Sequence, residues 1–351
     1  MRLPARTAAL AAVLATTLTA CGTATPSSGS GSGSGSSAGS GSGGAIVVYN
    51  AQHEDLVQEM VAGFTKATGI AVTLRNGDDA ELGNQLVQEG KASPADVFLT
   101  ENSPSMALVD RAGLFTKISA STTANVPAAY RPSTGDWTGW AARATVFAYN
   151  PAKVQASALP ASILDLAEPK WKGRVGIAAG GADFQAIVSA VLSIEGQDKT
   201  KAWLDGLKTN AKVYQGNTAI MKAVDAGEVD SGVIYHYYWA KDRAESGANS
   251  KNVQLLYFGK QDPGAFLSVS GAGVLASSKH QADAQKFVDY LTSKAGQQIL
   301  AKSAALEYAI ASGVAPNVAL KPIADLQAPT VDPASLNSAT VVTMMQQAGL
   351  I

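Results

Sequence analysis

The sequence predicts an α/β protein of two lobes with a ligand cleft between them. Three observations lead there. Short β-branched runs alternate with amphipathic helical runs from residue 45 to about residue 350. The residues with the most chemistry to offer fall where a strand gives way to a helix, which is where open α/β sheets hold ligands. The body from Ala45 onward also has the length and apolar content, in a 351-residue chain that is 46% hydrophobic, to fill two cores.

The chain opens with export chemistry. Arg2 and Arg6 precede an apolar stretch from Ala8 to Ala15 and a small-residue run, Leu18-Thr19-Ala20-Cys21. This is the pattern of a secretory signal peptide over residues 1–20, too short to span a bilayer as a mature helix. Cys21 is the only cysteine, so the chain can form no internal disulfide, and Leu-x-Ala-Cys resembles the lipobox at which bacterial lipoproteins are acylated. Residues 21–44 then read as an acylated cysteine and an uncharged Gly/Ser tether, unable to bury enough surface to offset the entropy of ordering. The expected location is the outer face of the cytoplasmic membrane, held there by the lipid anchor.

In the body, "AIVVYN" (45–50) is a buried-type strand, and Leu56, Val57, Met60, Val61 and Phe64 follow at helical spacing until Gly69. "IAVTLRN" (70–76) is the next strand, so Gln52 and His53 sit at a strand-to-helix loop. A helix near 81–89 leads to "ADVFLT" (95–100), which delivers Glu101 ahead of a helix running from Pro104 to Leu114. "ATVFAYN" (144–150) and "RVGIAA" (174–179) are further strands. The second opens through Gly180 and Gly181 into a helix over 183–195. Helices near 199–209 and 217–227 precede "SGVIYHYY" (231–238), "SVSGAGVLAS" (268–277) is a late strand, and helices over 282–302 and 338–348 close the chain. No internal repeat is visible. The lobe boundaries expected from this order are 45–142 plus 268–318 for the first and 143–267 plus 319–351 for the second.

Several functions are excluded at this level. Lys and Arg total 27 against 28 Asp and Glu, so no basic surface for nucleic acid is available. The body from Ala45 onward has no Gly-x-Ser-x-Gly elbow, no His-Glu-x-x-His and no cysteine nucleophile, and a binding protein is expected rather than an enzyme.

The densest chemistry is "GVIYHYYWA" (232–240) in a chain with 7% aromatic residues. Taken alone, a Tyr/Trp cluster at a strand end packs a core, His53 is a helix-start residue and Glu101 is a solvated carboxylate. Brought together, however, His53, Glu101, Tyr237 and Tyr238 make an imidazole, a carboxylate and two phenols, a set that suits a hard, strongly polarising cation such as Fe(III). In a straight strand Tyr237 and Tyr238 would face opposite ways, so both reach one ion only if the chain leaves the strand there.

"VYNAQHEDL", "PADVFLTEN", "PKWKGRVG", "NTAIMKAVDAGEV", "YHYYWA", "QDPGAFLSVSGAGVL" and "AQKFVDYLTSKAGQQIL" together resemble, in order, the bacterial ferric-iron-binding proteins of ABC importers, or bacterial transferrins. The resemblance implies a type II periplasmic-binding-protein fold. By position it implies His53, Glu101, Tyr237 and Tyr238 as Fe(III) ligands, a monomer as the form of the receptor, and an ABC permease with its ATPase subunit as partners. About two coordination positions are left for a small anion, phosphate or carbonate, or for water. The candidate anion site is Asn217, Arg143, Gly181, Ala182 and Tyr235. It departs from the phosphate-using pattern, because Gly181-Ala182-Asp183 stands where Ser-Gly-Ala is expected and Tyr235 where Asn is expected. Arg143 reads equally as a bidentate partner for carbonate or as a salt bridge on a crossover strand. The alternative function is a binding protein of the same fold for an organic cation or oxyanion such as a polyamine, phosphonate or sulfate.

Overall fold

The computed structural model describes residues 44–351. The expected signal peptide, Cys21 and the tether through residue 43 lie outside the described residues. Among those described, no helix is long and apolar enough to cross a membrane.

The first elements are β1 (Ile46–Ala51), α1 (Glu54–Thr68), β2 (Val72–Asn76), α2 (Asp79–Glu89), β3 (Val97–Thr100), α3 (Ser103–Arg111) and α4 (Ala120–Asn125). Next come β4 (Trp137–Tyr149), β5 (Val175–Ile177), α5 (Ala182–Glu195), α6 (Gln197–Asn210), β6 (Ala211–Val213), α7 (Asn217–Asp225), β7 (Ser231–Tyr235) and α8 (His236–Glu245). The chain closes with β8 (Gln254–Leu256), β9 (Leu267–Val274), α9 (Gln281–Thr292), α10 (Lys294–Lys302), β10 (Tyr308–Ala309) and α11 (Ser338–Gln347).

The strands run in the order β2-β1-β3-β9-β4-β7-β5-β6, with β8 and β10 added on β4. β1 pairs in parallel with β2 and β3, and β5 pairs in parallel with β6 and β7, giving two parallel blocks whose strands point their carboxyl ends at the cleft. Between them β9 and β4 run antiparallel to their neighbours. β4 belongs to both halves: Trp137 to Ala144 pair with β9, and Thr145 to Tyr149 with β7. It is buried along its whole length, as expected of a strand between two covered layers. Separate apolar clusters fill the two sides, one around Val48, Phe64, Trp140 and Phe287, the other around Phe147, Trp171, Phe184 and Trp203.

Two local features differ from the sequence reading. β4 begins at Trp137, seven residues before the expected Ala144, because Gly139 lets the strand irregularity between Gly139 and Ala141 pass close beneath Tyr130 and Val269. The expected helix over 282–302 is two helices. Ser293 leaves the helical region, and its hydroxyl accepts from the Gly296 N–H to start α10.

Helix α7 packs so close over β7 that a methyl group on Gly232 would collide with the Ile220 side chain, and it would also press on the Gly176 carbonyl of β5. Gly232→Ala is therefore expected to lower the unfolding free energy by about 1–3 kcal/mol in denaturant titration. An unchanged midpoint would mean that the Ile220 side chain gives way without cost.

Candidate metal centre

Each half of the sheet sends side chains into the cleft from its strand ends. β1 ends at Ala51, and His53 follows as the residue capping α1. Its own side chain caps nothing, which leaves the imidazole free to face the cleft. The Gln52 Oε1 accepts the His53 main-chain N–H at 2.7 Å. β3 ends at Thr100, and both main-chain N–H groups that follow, Glu101 and Asn102, donate to the buried Asp79 carboxylate at 2.9 Å. That clamp fixes where the Glu101 side chain leaves the chain.

On the other side, β7 ends at Tyr235 and the chain turns at once into α8, whose first turn carries His236, Tyr237 and Tyr238. This is the departure from the strand that the tyrosine pair requires. The two phenol rings stack with centroids 4.2 Å apart, both on the cleft side. His236, by contrast, is fully buried; its Nδ1 accepts the Ala144 N–H at 3.1 Å and its ring stacks on Tyr308, so it serves as packing. Trp239 donates its indole N–H to the Val253 carbonyl, also in a structural role.

Across the cleft the two groups meet. The Tyr237 hydroxyl donates to Glu101 Oε1 at 2.9 Å, and the His53 and Tyr237 rings contact edge to face at 5.0 Å. His53 Nε2 lies 3.7 Å from Glu101 Oε1. It lies 3.2 Å from Oε1 of Glu307, a residue just before β10 that sequence reasoning missed. His53, Glu101 and Glu307 each offer a donor atom within 4.8 Å of the others. An open pocket of about 360 Å³, lined by Asn50, Gln52, His53, Asn76, Asp78 and Glu101, connects this point to solvent.

The candidate anion residues divide. Asn217 and Tyr235 converge, but on Asp183: the Asn217 amide donates to Asp183 Oδ2 at 2.7 Å, and the Tyr235 hydroxyl lies 3.3 Å from the Asp183 carbonyl. The Tyr238 hydroxyl donates to the same Oδ2 at 3.1 Å, and the Asn102 amide donates to Oδ1 at 3.0 Å. Gly181 and Ala182 form the junction into α5 that delivers this carboxylate. The place that an external anion was expected to take therefore holds a buried side-chain carboxylate. Arg143 is not part of it. Its fully buried guanidinium donates to Glu307 Oε2 at 2.9 Å, to Ser270 Oγ at 3.1 Å and to the Glu101 carbonyl, which is the crossover-strand salt bridge of the two readings.

The electrostatics follow from burial plus these contacts. Burial raises the Tyr237 and Tyr238 phenols above their ordinary value, and the charges of Glu101 and Asp183 raise them further. Both are protonated near neutrality in the absence of a cation. Burial and the Glu101 charge push the Asp183 carboxyl up to about 7 despite its donors. Burial works against the charge on Arg143, yet Glu307 and Glu101 hold it above the ordinary guanidinium value. Burial likewise acts to raise Glu307, but Arg143, with His53 adding to it, brings that carboxyl down to about 2. For His53 burial lowers the value, and contact with Glu307 together with the Glu101 charge leaves it raised.

Removing Arg143 would strand a buried carboxylate. Arg143→Met is expected to destabilise the fold at pH 7 by about 3–5 kcal/mol. Because Glu307 has a depressed value when folded, its contribution is present above about 4.5 and is lost as pH falls toward about 2. The gap between variant and wild type in denaturant titrations should narrow over that window, and a gap independent of pH would contradict the ion-pair assignment.

A family model described as bacterial extracellular solute-binding protein matches residues 92–333. A protein of Serratia marcescens named Fe(3+)-binding periplasmic protein is 61% identical over 306 residues, 87% of this chain and 90% of that one. The major ferric iron-binding protein of Neisseria meningitidis is 37% identical over 87% of this chain and 93% of its own length. Among solved structures, iron-bound HitA from Pseudomonas aeruginosa superposes with a TM-score of 0.81 at 41% identity, over 87% of this chain and 99% of that one.

Proposed function

The chain belongs to the bacterial extracellular solute-binding proteins, and from that membership we propose that it captures Fe(III) between its two lobes and carries it to an ABC permease. Its similarity to proteins named for ferric iron binding supports the cargo. The observation that carries the reading at the level of residues is the pairing across the cleft of two stacked phenols with an imidazole and a carboxylate.

In this reading His53 and Glu101 from one lobe, and Tyr237 and Tyr238 from the other, bind the ion. Each phenol gives its proton to solvent as its oxygen takes the metal, so two protons leave for each ion bound by the pair. Only a strongly polarising cation offsets the cost of ionising phenols held above their ordinary value. The Tyr237 proton lies between two oxygens that such a cation would bridge, and so does the Tyr238 proton.

We infer further that Asp183 serves in place of an external phosphate or carbonate. Its carboxylate already takes the Asn217 amide and the Tyr238 hydroxyl, and a second anion beside it would be repelled. The same charge disfavours an oxyanion cargo. The lobes are taken as 45–142 plus 268–318 and 143–267 plus 319–351, so that opening separates the donor sets. Residues 21–44 would tether a receptor without enzymatic activity to the outer face of the membrane through lipid on Cys21.

Two measurements test the reading. Ferric nitrilotriacetate added to the protein should produce a visible phenolate-to-iron charge-transfer band, and Tyr237→Phe combined with Tyr238→Phe should abolish it. A band that persists in the double variant removes the tyrosines from the site. Iron binding by the wild type should be unchanged when phosphate and carbonate are stripped from the buffer, whereas Asp183→Ala should bind at least about tenfold more tightly when phosphate is restored. A wild type that needs phosphate would overturn the role given to Asp183.

A further inference from the structure

Glu307 is a buried carboxylate of the cleft that faces His53 and that the ligand set above does not use. We propose that it is a direct donor to the ion held by His53 and Glu101, an inference that rests on the ferric reading.

The two oxygens of Glu307 have different surroundings. Oε2 accepts from the Arg143 guanidinium at 2.9 Å and from the Gln52 amide at 3.3 Å. Oε1 accepts no well-aligned hydrogen bond among the described residues, and its one close polar neighbour is the His53 Nε2 at 3.2 Å. A buried carboxylate oxygen whose single close neighbour is an imidazole nitrogen can exchange the proton between them for a cation that both atoms bind.

The spacing fits. Six-coordinate metal–oxygen and metal–nitrogen bonds of about 2.1 Å put adjacent donors about 3.0 Å apart and opposite donors about 4.2 Å apart. Glu307 Oε1 to His53 Nε2 is 3.2 Å, His53 Nε2 to Glu101 Oε1 is 3.7 Å, and Glu101 Oε1 to the Tyr237 hydroxyl is 2.9 Å. An ion bound by His53 and Glu101 thus has Glu307 Oε1 as a neighbour at an adjacent position.

The chain also holds the carboxylate there at some cost. Leu306 adopts a left-handed backbone, φ 53°, unusual for a side chain of its size, and this turn aims Glu307 inward. Arg143 orients the carboxylate from behind, as outer partners do at metal sites. With Asp183 and the four ligands above, Glu307 makes six protein donors, enough to fill an octahedron without water or an external anion.

The decisive measurement is a crystal structure of the wild-type chain loaded with ferric nitrilotriacetate. Glu307 Oε1 within about 2.3 Å of the iron supports the proposal, and a separation beyond about 3 Å overturns it. In solution, Glu307→Gln keeps the shape and loses the anionic donor. The charge-transfer band should move to lower energy, and affinity should fall by more than the roughly 10- to 100-fold typical of an outer-shell partner. A smaller loss with an unmoved band would make Glu307 a positioning residue only. Failure of the two readings is distinguishable: no band in the wild type overturns both, whereas a band with a remote Glu307 overturns this one alone.

Discussion

The architecture of the cleft depends on one buried guanidinium. Arg143 sits on β4, the strand shared by both halves of the sheet, and is fully buried among Glu307, Ser270 and the Glu101 carbonyl. A charge in that position is tolerable only because Glu307 is ionised beside it and its two terminal nitrogens find acceptors. The same group faces the Tyr235 and Tyr237 rings at about 6 Å, at the outer limit of cation–π attraction. Arg143 thereby fixes the main chain at Glu101, the carboxylate of Glu307 and, through it, the imidazole of His53. The site is built outward from the crossover strand, which pairs with both halves of the sheet.

A second constraint is the surplus of negative charge around the phenols. Glu101, Glu307, Asp183 and Asp79 all lie at the cleft, and Arg143 is the only permanent cation among the contacts described for them. Without metal the arrangement is made tolerable by protons. Tyr237 and Tyr238 keep theirs and donate them to carboxylates. On the proposed reading a trivalent cation replaces those protons and relieves the carboxylate repulsion that adds to burial in raising the phenols. Selectivity follows from that exchange, since a weakly polarising divalent ion gains the same carboxylates but does not offset the ionisation of two phenols.

The sequence made the order of elements and the strand-end positions of His53, Glu101, Tyr237 and Tyr238 legible, because each rests on local pattern: apolar period, glycine stops, and the polar residue after a strand. Glu307 was not legible. Its partners Arg143 and Gln52 lie 164 and 255 residues away, and only the oddity of one glutamate within the apolar run from Ala304 to Ile310 hinted at it. The early start of β4 was hidden because Trp137 to Arg143 lacks β-branched residues apart from Thr138 and contains the glycine that permits its irregularity. At Asp183 the residue itself was noticed as a departure. Its contacts with Asn217, Asn102 and Tyr238 required the fold, because each comes from a different element.

The distribution of donors explains how tight capture and ready release can coexist on the proposed reading. His53, Glu101 and Glu307 stay with one half of the sheet, while Tyr237, Tyr238 and Asp183 stay with the other. Neither half alone offers more than three donors, so an opening of a few ångströms halves the coordination number at one step. The contacts that hold the closed form without metal are hydrogen bonds such as Tyr237 to Glu101 and Asn102 to Asp183, each worth about 1–3 kcal/mol net. Closure is therefore weakly favourable by itself and becomes strongly favourable only when the ion bridges both halves. A permease that binds the lobes in their open arrangement needs to outweigh the bridging contribution and these few hydrogen bonds, and once it does so the phenols recover their protons and the ion has lost half its ligands.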